Sequence, residues 1–268
     1  LSKDDKIYNQ YHTNTLETLE AFFSGHAYDS HRHDTFAVGL TLSGIQSFHY
    51  GGCVQHNIPG STMVLYPDEK HDGMAGTHAG FHYKMVYIKP ELIQQILRGS
   101  SLPFIKNGIS QHPILFQKVK NLLSCLSPNY RNELEEEDAF YEFVMVLRDI
   151  SGGLQKGKQP LDYSMAERAR EYIHCSLQET ISLADIEQNI GCDRWSISRH
   201  FRGIFGTSPH RYIIMRRLDQ VKLFLLLKKP LAEAAIMAGF FDQSHMTKHF
   251  KKTFGITPLH WQSIVNRL

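Results

Sequence analysis

Three histidines and two runs of basic and aromatic side chains are the reactive features of this sequence. His31-Arg-His33 sets two imidazoles at i and i+2, which on a strand point to the same face, and His71 supplies a third. Imidazoles gathered in this way can hold a divalent metal ion or line a polar ligand pocket. The basic runs lie in the other half of the chain. At about 100° per residue, Trp195, Ser196, Arg199 and Arg202 share one helical face, and so do Ser244, His245, Lys248, Lys251 and Lys252. A tryptophan exposed beside two arginines seeks a partner such as a thymine methyl or a sugar, which points to nucleic acid.

The elements that carry the basic runs are written twice. Arg199-His-Phe-Arg-Gly-Ile-Phe-Gly-Thr-Ser-Pro-His-Arg-Tyr212 returns as Lys248-His-Phe-Lys-Lys-Thr-Phe-Gly-Ile-Thr-Pro-Leu-His-Trp261. Upstream, Ser182-Leu-Ala-Asp-Ile-Glu-Gln-Asn-Ile-Gly191 matches Pro230-Leu-Ala-Glu-Ala-Ala-Ile-Met-Ala-Gly239. Ser182 with Asp185 forms a capping-box pattern, Pro230 suits a helix start, and Gly191 and Gly239 can take the left-handed conformation of a tight interhelical turn. Ile197, Phe201, Ile204 and Phe205 fall on one face of the first basic helix, and Met246, Phe250 and Phe254 on one face of the second. A single basic helix is ordinarily just a solvated surface. Two at the same register, each led by a short helix and a glycine turn, point to paired helix-turn-helix units. Between them, Ser208-Pro209 starts a helix reaching about Leu227, with Ile214, Leu218, Val221 and Leu225 at helical spacing. Its length of about 30 Å is close to the ~34 Å repeat of the major groove on one side of B-DNA.

Residues 164–267 resemble the DNA-binding domain of the AraC/XylS family of bacterial transcription regulators, with two helix-turn-helix units joined by a long helix. The resemblance rests on Gly239-Phe-Phe-Asp-Gln-Ser-His-Met-Thr-Lys-His-Phe250 and Phe254-Gly-Ile-Thr-Pro258. It implies base-reading positions at Trp195, Ser198 and Arg199 in the first unit and at Gln243, Ser244, His245 and Lys248 in the second. Lys248 stands where the family commonly has arginine, which keeps the charge and loses the bidentate fork for guanine.

The net charge of +2 hides an asymmetry. Residues 1–160 carry 14 lysines and arginines against 17 acidic residues, whereas 161–268 carry 15 against 10. The positive balance lies with the repeated motifs, where a polyanion would bind. A chain of 268 residues with 42% hydrophobic content supports two domains, each with a core.

From Phe36 to about Ile88 the pattern is of short strands. Phe36, Val38, Leu40 and Leu42 alternate, Gly44, Gly51-Gly52 and Pro59-Gly60 punctuate, and residues 61–66 and 81–88 add strands. A small barrel or jelly roll is expected. His31-Arg-His33 and Pro59-Gly60 with His71-Asp-Gly73 resemble the two motifs of the cupin barrel, specifically the cupin-like sensor domain attached to many AraC-type regulators. The acidic residue that an enzyme cupin places after its paired histidines has no counterpart, since residues 36–41 contain none. His31, His33, Tyr66, His71 and Tyr83 are the candidate effector contacts, with a divalent metal on the three histidines as a further option.

Helices are expected at residues 112–126 and 133–150. The second opens on an acidic cluster and carries Phe140, Phe143, Val144 and Leu147 on a stripe that either packs on the barrel or, as the family resemblance implies, forms a dimer interface. Residues 151–160, Gly-rich and polar, read as a linker between a domain of residues 1–150 and one of 161–268. Cys53, Cys125, Cys175 and Cys192 form no CxxC pair and read as buried, reduced thiols. Without a long apolar run or a cationic leader, a soluble cytoplasmic chain with no membrane partner is expected.

The expected fold is α+β in two domains, a cupin-like β-barrel with following helices and an all-α double helix-turn-helix domain. The expected function is sequence-specific regulation of transcription through double-stranded DNA. Expected partners are a small-molecule effector, a second copy of the chain and, for an activator, RNA polymerase. The rivals are a metal-dependent cupin enzyme localised by its helical tail and a DNA-repair alkyl acceptor using Cys53 or Cys125.

Overall fold

The computed structural model describes residues 5–12, 16–127, 132–152 and 160–265. The chain forms two compact units, Leu1–Pro160 and Leu161–Leu268. Most of the expected linker, residues 153–159, lies outside the described residues.

Among the described residues, ten strands build the first unit: β1 (Lys6–His12), β2 (Leu16–Phe23), β3 (His26–His31), β4 (Phe36–Gly44), β5 (Gln46–Tyr50), β6 (Cys53–Asn57), β7 (Thr62–Leu65), β8 (His71–Ala75), β9 (Phe81–Ile88) and β10 (Ile109–Ser110). They pair antiparallel in two sheets, ordered β1-β2-β9-β4-β7-β10 and β3-β8-β5-β6. Helices α1 (Pro90–Leu97), α2 (Pro113–Cys125) and α3 (Glu133–Ile150) follow β9, with β10 between α1 and α2.

The larger sheet is covered on both faces, and strand periodicity decides which residues meet which cover. Phe36, Val38, Leu40, Val64, Val86 and Ile88 pack with Leu115, Val119 and Leu122 of α2 and Phe143, Val144 and Leu147 of α3. The alternate residues Ala37, Met63, Leu65, Tyr83 and Met85 meet Phe48 and Tyr50 of the smaller sheet and form the barrel interior. Residues 36–41 of β4 are therefore all buried, and Leu42, expected inside by alternation, is 45% exposed at the strand's end. α3 begins at an Asn132 cap, with Glu133, Glu135 and Glu136 in its first turn and Arg148 in its last, charges that complement the helix dipole. Its apolar stripe is spent on the barrel. Only Phe140 of that stripe is half-buried, and Leu134 and Tyr141 lie exposed.

The second unit contains α4 (Tyr163–Cys175), α5 (Leu183–Ile190), α6 (Arg194–Phe205), α7 (Pro209–Leu226), α8 (Leu231–Met237), α9 (Gln243–Phe254) and α10 (Pro258–Val265). Ser182 and Asp185 make the reciprocal bonds of a capping box at α5, and the Ser208 side chain accepts Arg211 N–H at the start of α7. Gly191 and Gly239 have φ of 72° and 84° in the turns before α6 and α9.

Each helix-turn-helix has its own core, and α7 belongs to both. Tyr212 and Ile213 pack with Ile173, Ile186, Ile197 and Phe201, whereas Ile214, Leu218, Val221 and Leu225 pack with Ala234, Met246 and Phe250. A second tie runs through Arg217. Its Nε donates to Leu177 O at 2.9 Å and its Nη2 to Glu179 O at 2.6 Å, in the segment between α4 and α5. A Cβ on Gly239 would stand 2.8 Å from Leu177 O and 3.0 Å from Arg217 Nε, so the turn before α9 rests against the segment between α4 and α5, both within this unit.

Candidate nucleic-acid interface and ligand site

Both basic helices start from an aspartate cap. Asp193 accepts the N–H groups of Trp195 at 3.1 Å and Ser196 at 3.0 Å, and Asp242 accepts His245 N–H at 2.7 Å. These bonds to the charged form hold the Asp193 carboxyl below the usual carboxylate range. The helical period then decides what each helix offers. Ile197, Phe201, Ile204 and Phe205 are buried beneath α6, and Met246, Phe250 and Thr253 beneath α9, with Phe254 half-buried.

On the outer face of α6, Trp195 is 79% exposed, Arg199 and Arg202 are exposed, and Ser196 and Ser198 are half-buried. On α9, Gln243, Ser244, His245, Lys248, Lys251 and Lys252 are all exposed. The structure thus gathers the sequence candidates onto two corresponding faces. His200 anchors α6 from behind by accepting Asp162 N–H at Nδ1, 2.8 Å away, and its Nε2 lies 3.1 Å from the Arg199 guanidinium. Along α9, the exposed His245 and the half-buried His249 meet Nε2 to Nε2 at 3.0 Å, and both rings pack near Phe240. Burial first, and then His245, Arg211, His210 and Lys252, pushes His249 down to about 4.

One residue of this surface escaped the sequence reading. Phe241 is 87% exposed directly before the Asp242 cap. Its place in the turn put it outside the helical pattern, and only the fold shows that it protrudes.

In the barrel, His31, His33 and His71 come together. His31 and His71 are cross-strand partners on β3 and β8, their ring centroids 4.4 Å apart, and His33 lies 4.7 Å from His71 and 5.9 Å from His31. Backbone carbonyls orient all three rings. Nδ1 of His31 meets Asp29 O at 2.8 Å, that of His33 meets Thr35 O at 2.9 Å, and that of His71 meets Glu69 O at 3.1 Å. A carbonyl only accepts, so each neutral ring carries its proton on Nδ1 and leaves the Nε2 lone pair bare. One ligand atom from each ring lies within 4.8 Å of the other two, and His33 Nε2 is buried without a hydrogen-bond partner among the described residues. Burial is the largest cause that lowers all three pKa values, with His33 at about 4.

Tyr28 and Tyr87 wall this cluster, and neither was a sequence candidate. The Tyr28 ring stands 5.2 Å from His31 and 6.5 Å from His71, and the Tyr87 ring 5.5 Å from His33. The Tyr28 hydroxyl accepts Gln46 Nε2 at 3.1 Å, and burial pushes its pKa up to about 12. Tyr83 is 1% exposed in the barrel interior, stacked on Phe23 and Phe81. Tyr66 lies apart from the histidines. It follows Leu65 with the alternate orientation and packs between Phe36 and Phe104 on the helix side of the sheet.

The cysteines correct an expectation. Cys125 is buried and Cys192 half-buried, but Cys53 and Cys175 are exposed, Cys53 because β6 is the outer strand of its sheet. Burial pushes the Cys125 thiol up, away from the thiolate that an alkyl acceptor needs. Among the described residues no helix is long and apolar enough to cross a membrane.

Comparison with known proteins agrees with this arrangement. Residues 14–144 match the model of the AraC-like ligand binding domain, and residues 186–264 match a helix-turn-helix domain. LumQ of Photobacterium leiognathi, named as a transcriptional regulator, is 30% identical over 95 residues, 35% of this chain and 38% of LumQ. YbfI of Bacillus subtilis, named as an HTH-type transcriptional regulator, is 23% identical over 227 residues, 82% of this chain and 81% of YbfI. The chain therefore spans well under half of one relative and four fifths of the other. A structure of ToxT from Vibrio cholerae shares the fold, with a TM-score of 0.67 at 11% identity over 94% of this chain and 99% of that one. A two-sheeted barrel matched as a ligand-binding domain, followed by two helix-turn-helix units on one connecting helix, places this chain in the AraC family of transcriptional regulators.

Proposed function

We propose that the chain is an effector-responsive transcription regulator that reads double-stranded DNA with α6 and α9 in adjacent major grooves. The observation that carries this is the pair of capped helices presenting Trp195, Ser196, Ser198, Arg199 and Arg202, and Gln243, Ser244, His245, Lys248, Lys251 and Lys252, on one rigid connector. α7 has 18 residues and spans about 27 Å, within reach of the ~34 Å groove repeat once each reading helix adds its own width. Arginines and lysines supply phosphate and guanine contacts, and Trp195 supplies an apolar one.

The barrel is the effector site in this proposal, with His31, His33, His71, Tyr28 and Tyr87 at its polar wall. A ToxT structure holding an unsaturated fatty acid is a precedent for a ligand in a protein of this fold. A ligand here acts by binding two arrangements of the protein with different affinity. Dimerisation, if it uses α3, falls to the face carrying Leu134 and Tyr141, because Phe143, Val144 and Leu147 are occupied by the chain's own core. An activator of this type also engages RNA polymerase, and its place of work is the cytoplasm.

Selection of genomic fragments by the purified protein, followed by fluorescence anisotropy at near-physiological salt, tests the proposal. The expected result is a site with two short blocks about one helical turn apart, bound on the order of 10³-fold more tightly than random DNA. Equal affinity for all sequences, with and without added metal or candidate ligands, would overturn it.

A further inference from the structure

Exposed apolar surface is unevenly placed on this chain. Among the described residues, the two most exposed large apolar side chains are Phe241 at 87% and Trp195 at 79%. Both stand at the N-terminal end of a basic helix, Trp195 two residues after the Asp193 cap of α6 and Phe241 one residue before the Asp242 cap of α9. The turns that lead into these helices differ in length. One residue, Cys192, separates Gly191 from Asp193, and two, Phe240 and Phe241, separate Gly239 from Asp242. The longer turn is what carries an aromatic ring outside the helix.

The fold fixes which of the two phenylalanines goes in. Phe240 N–H donates to Ala235 O at 3.0 Å, and its ring is 3% exposed, set against His245 and His249 at centroid distances of 5.7 and 6.3 Å. Asp242 then accepts His245 N–H at 2.7 Å and starts α9. With both neighbours fastened, Phe241 is held outward next to the exposed Gln243 and Ser244, at the end that meets base edges when such a helix enters the major groove. Lys248, Lys251 and Lys252 are exposed on the same helix, so the surface that the ring adjoins attracts a polyanion. A phenyl ring has no hydrogen-bonding group and gains nothing from phosphate or from a polar base edge. The apolar groups that duplex DNA offers are the C5-methyl of thymine and the carbons of deoxyribose, and of these only the methyl carries sequence.

We infer that Phe241 is a specificity-determining contact of the second reading head, packing on the C5-methyl of a thymine in the block that α9 reads. The inference rests on the regulator proposal and adds a base contact made from outside either helix. Because Trp195 follows its cap and Phe241 precedes its own, the thymine of the second block is offset from that of the first, measured from the base pair that faces Lys248 or Arg199.

The test uses the full chain and the duplex recovered by genomic selection, with each thymine of the α9 block replaced in turn by deoxyuridine, which lacks only the methyl. For the parent, one replacement should lower affinity about 4-fold, the equivalent of one buried methyl group. Phe241→Ala should lower affinity for the unmodified duplex by at least that factor and be indifferent to the same replacement. Phe241→Leu, which keeps an apolar side chain, should recover part of the loss. Leu227→Ala, at another apolar residue exposed to 70%, should bind as the parent does, and matching urea midpoints check that each variant is folded. Equal loss on every duplex, with no deoxyuridine position that distinguishes parent from Phe241→Ala, would overturn the methyl contact in favour of deoxyribose. Parent-like affinity in Phe241→Ala together with weaker transcription by added RNA polymerase would also overturn it, and move the ring's partner to the polymerase. Sequence preference that survives Phe241→Ala unchanged sinks this inference alone, whereas a parent with no sequence preference under any condition sinks the regulator proposal with it.

Discussion

Arg217→Ala is the perturbation whose cost can be worked out most directly. The side chain is 9% exposed, and its guanidinium bridges Leu177 O and Glu179 O at 2.9 and 2.6 Å. Burial lowers its pKa from the usual value, yet an arginine remains charged in a protein. Charge-assisted hydrogen bonds contribute about 1.5–3 kcal/mol each, and truncation leaves both carbonyls short of a donor. Relief of the buried charge returns part of that, so a net loss of about 3 kcal/mol is expected. Both tryptophans, Trp195 and Trp261, lie in the second compact unit, so their fluorescence reports the unfolding of that unit within the intact chain. With a urea slope of roughly 1–3 kcal/mol/M, the midpoint should fall by about 1 M or more. Arg217→Lys keeps one point charge and loses the fork, and should fall in between. Because Gly239 rests against Leu177 O and Arg217 Nε, the same bridge ties the two helix-turn-helix units together. Arg217→Ala should therefore weaken binding to a two-block operator by a larger factor than binding to either block alone. A midpoint within about 0.3 M of the parent, or equal loss on one-block and two-block DNA, would refute this account of the bridge.

Other expectations concern the reading faces and their surroundings. Arg199→Ala and Lys248→Ala should each cost about 1–3 kcal/mol of specific affinity if they read base edges, with footprinting showing loss at one block only; uniform loss on all sequences would make them phosphate contacts. Trp195→Ala should weaken operator binding while leaving the slope of log K against log salt nearly unchanged, because an apolar contact releases no counterions. A slope lower by about one unit would contradict that role. His249, held at about 4 when folded and near 6.5 in the unfolded chain, binds a proton in the unfolded state first. The second unit should then lose stability as pH falls from about 6.5 towards 4. His249→Gln should flatten that dependence, and identical pH profiles of urea midpoint for parent and variant would exclude the mechanism.

The helix-turn-helix half was legible in the sequence because its signals are local. Ser182 and Asp185, Ser208-Pro209, Gly191 and Gly239 act within a few residues of themselves, and α7 starts and stops within a residue of where they place it. The 3.6-residue period then separates a buried Phe201 from an exposed Arg199 without knowledge of any neighbour. Phe241 and Arg217 were not legible, since the one protrudes from a turn and the other meets carbonyls about forty residues upstream. In the barrel, period-two patterning named β4, β7 and β9, but β1, β2, β3 and α1 went unread.

What the amino-acid order determined by itself was therefore the paired basic helices and their faces; the two histidines at i and i+2 were expected on one strand, but β3 ends at His31 and His33 follows it. Tertiary structure alone decided that both sides of β4 are covered, that Tyr83 enters the barrel while Tyr66 turns to the helices, and that Cys53 lies on an outer strand. It also brought His71 across from β8 and set three carbonyls against three Nδ1 atoms, leaving the lone pairs to converge. The physical reason is the range of the interactions. Helix faces follow from bonds four residues apart, whereas strand partners, the side of a sheet that a helix covers and the tautomer of a buried ring depend on chain brought from far away in sequence.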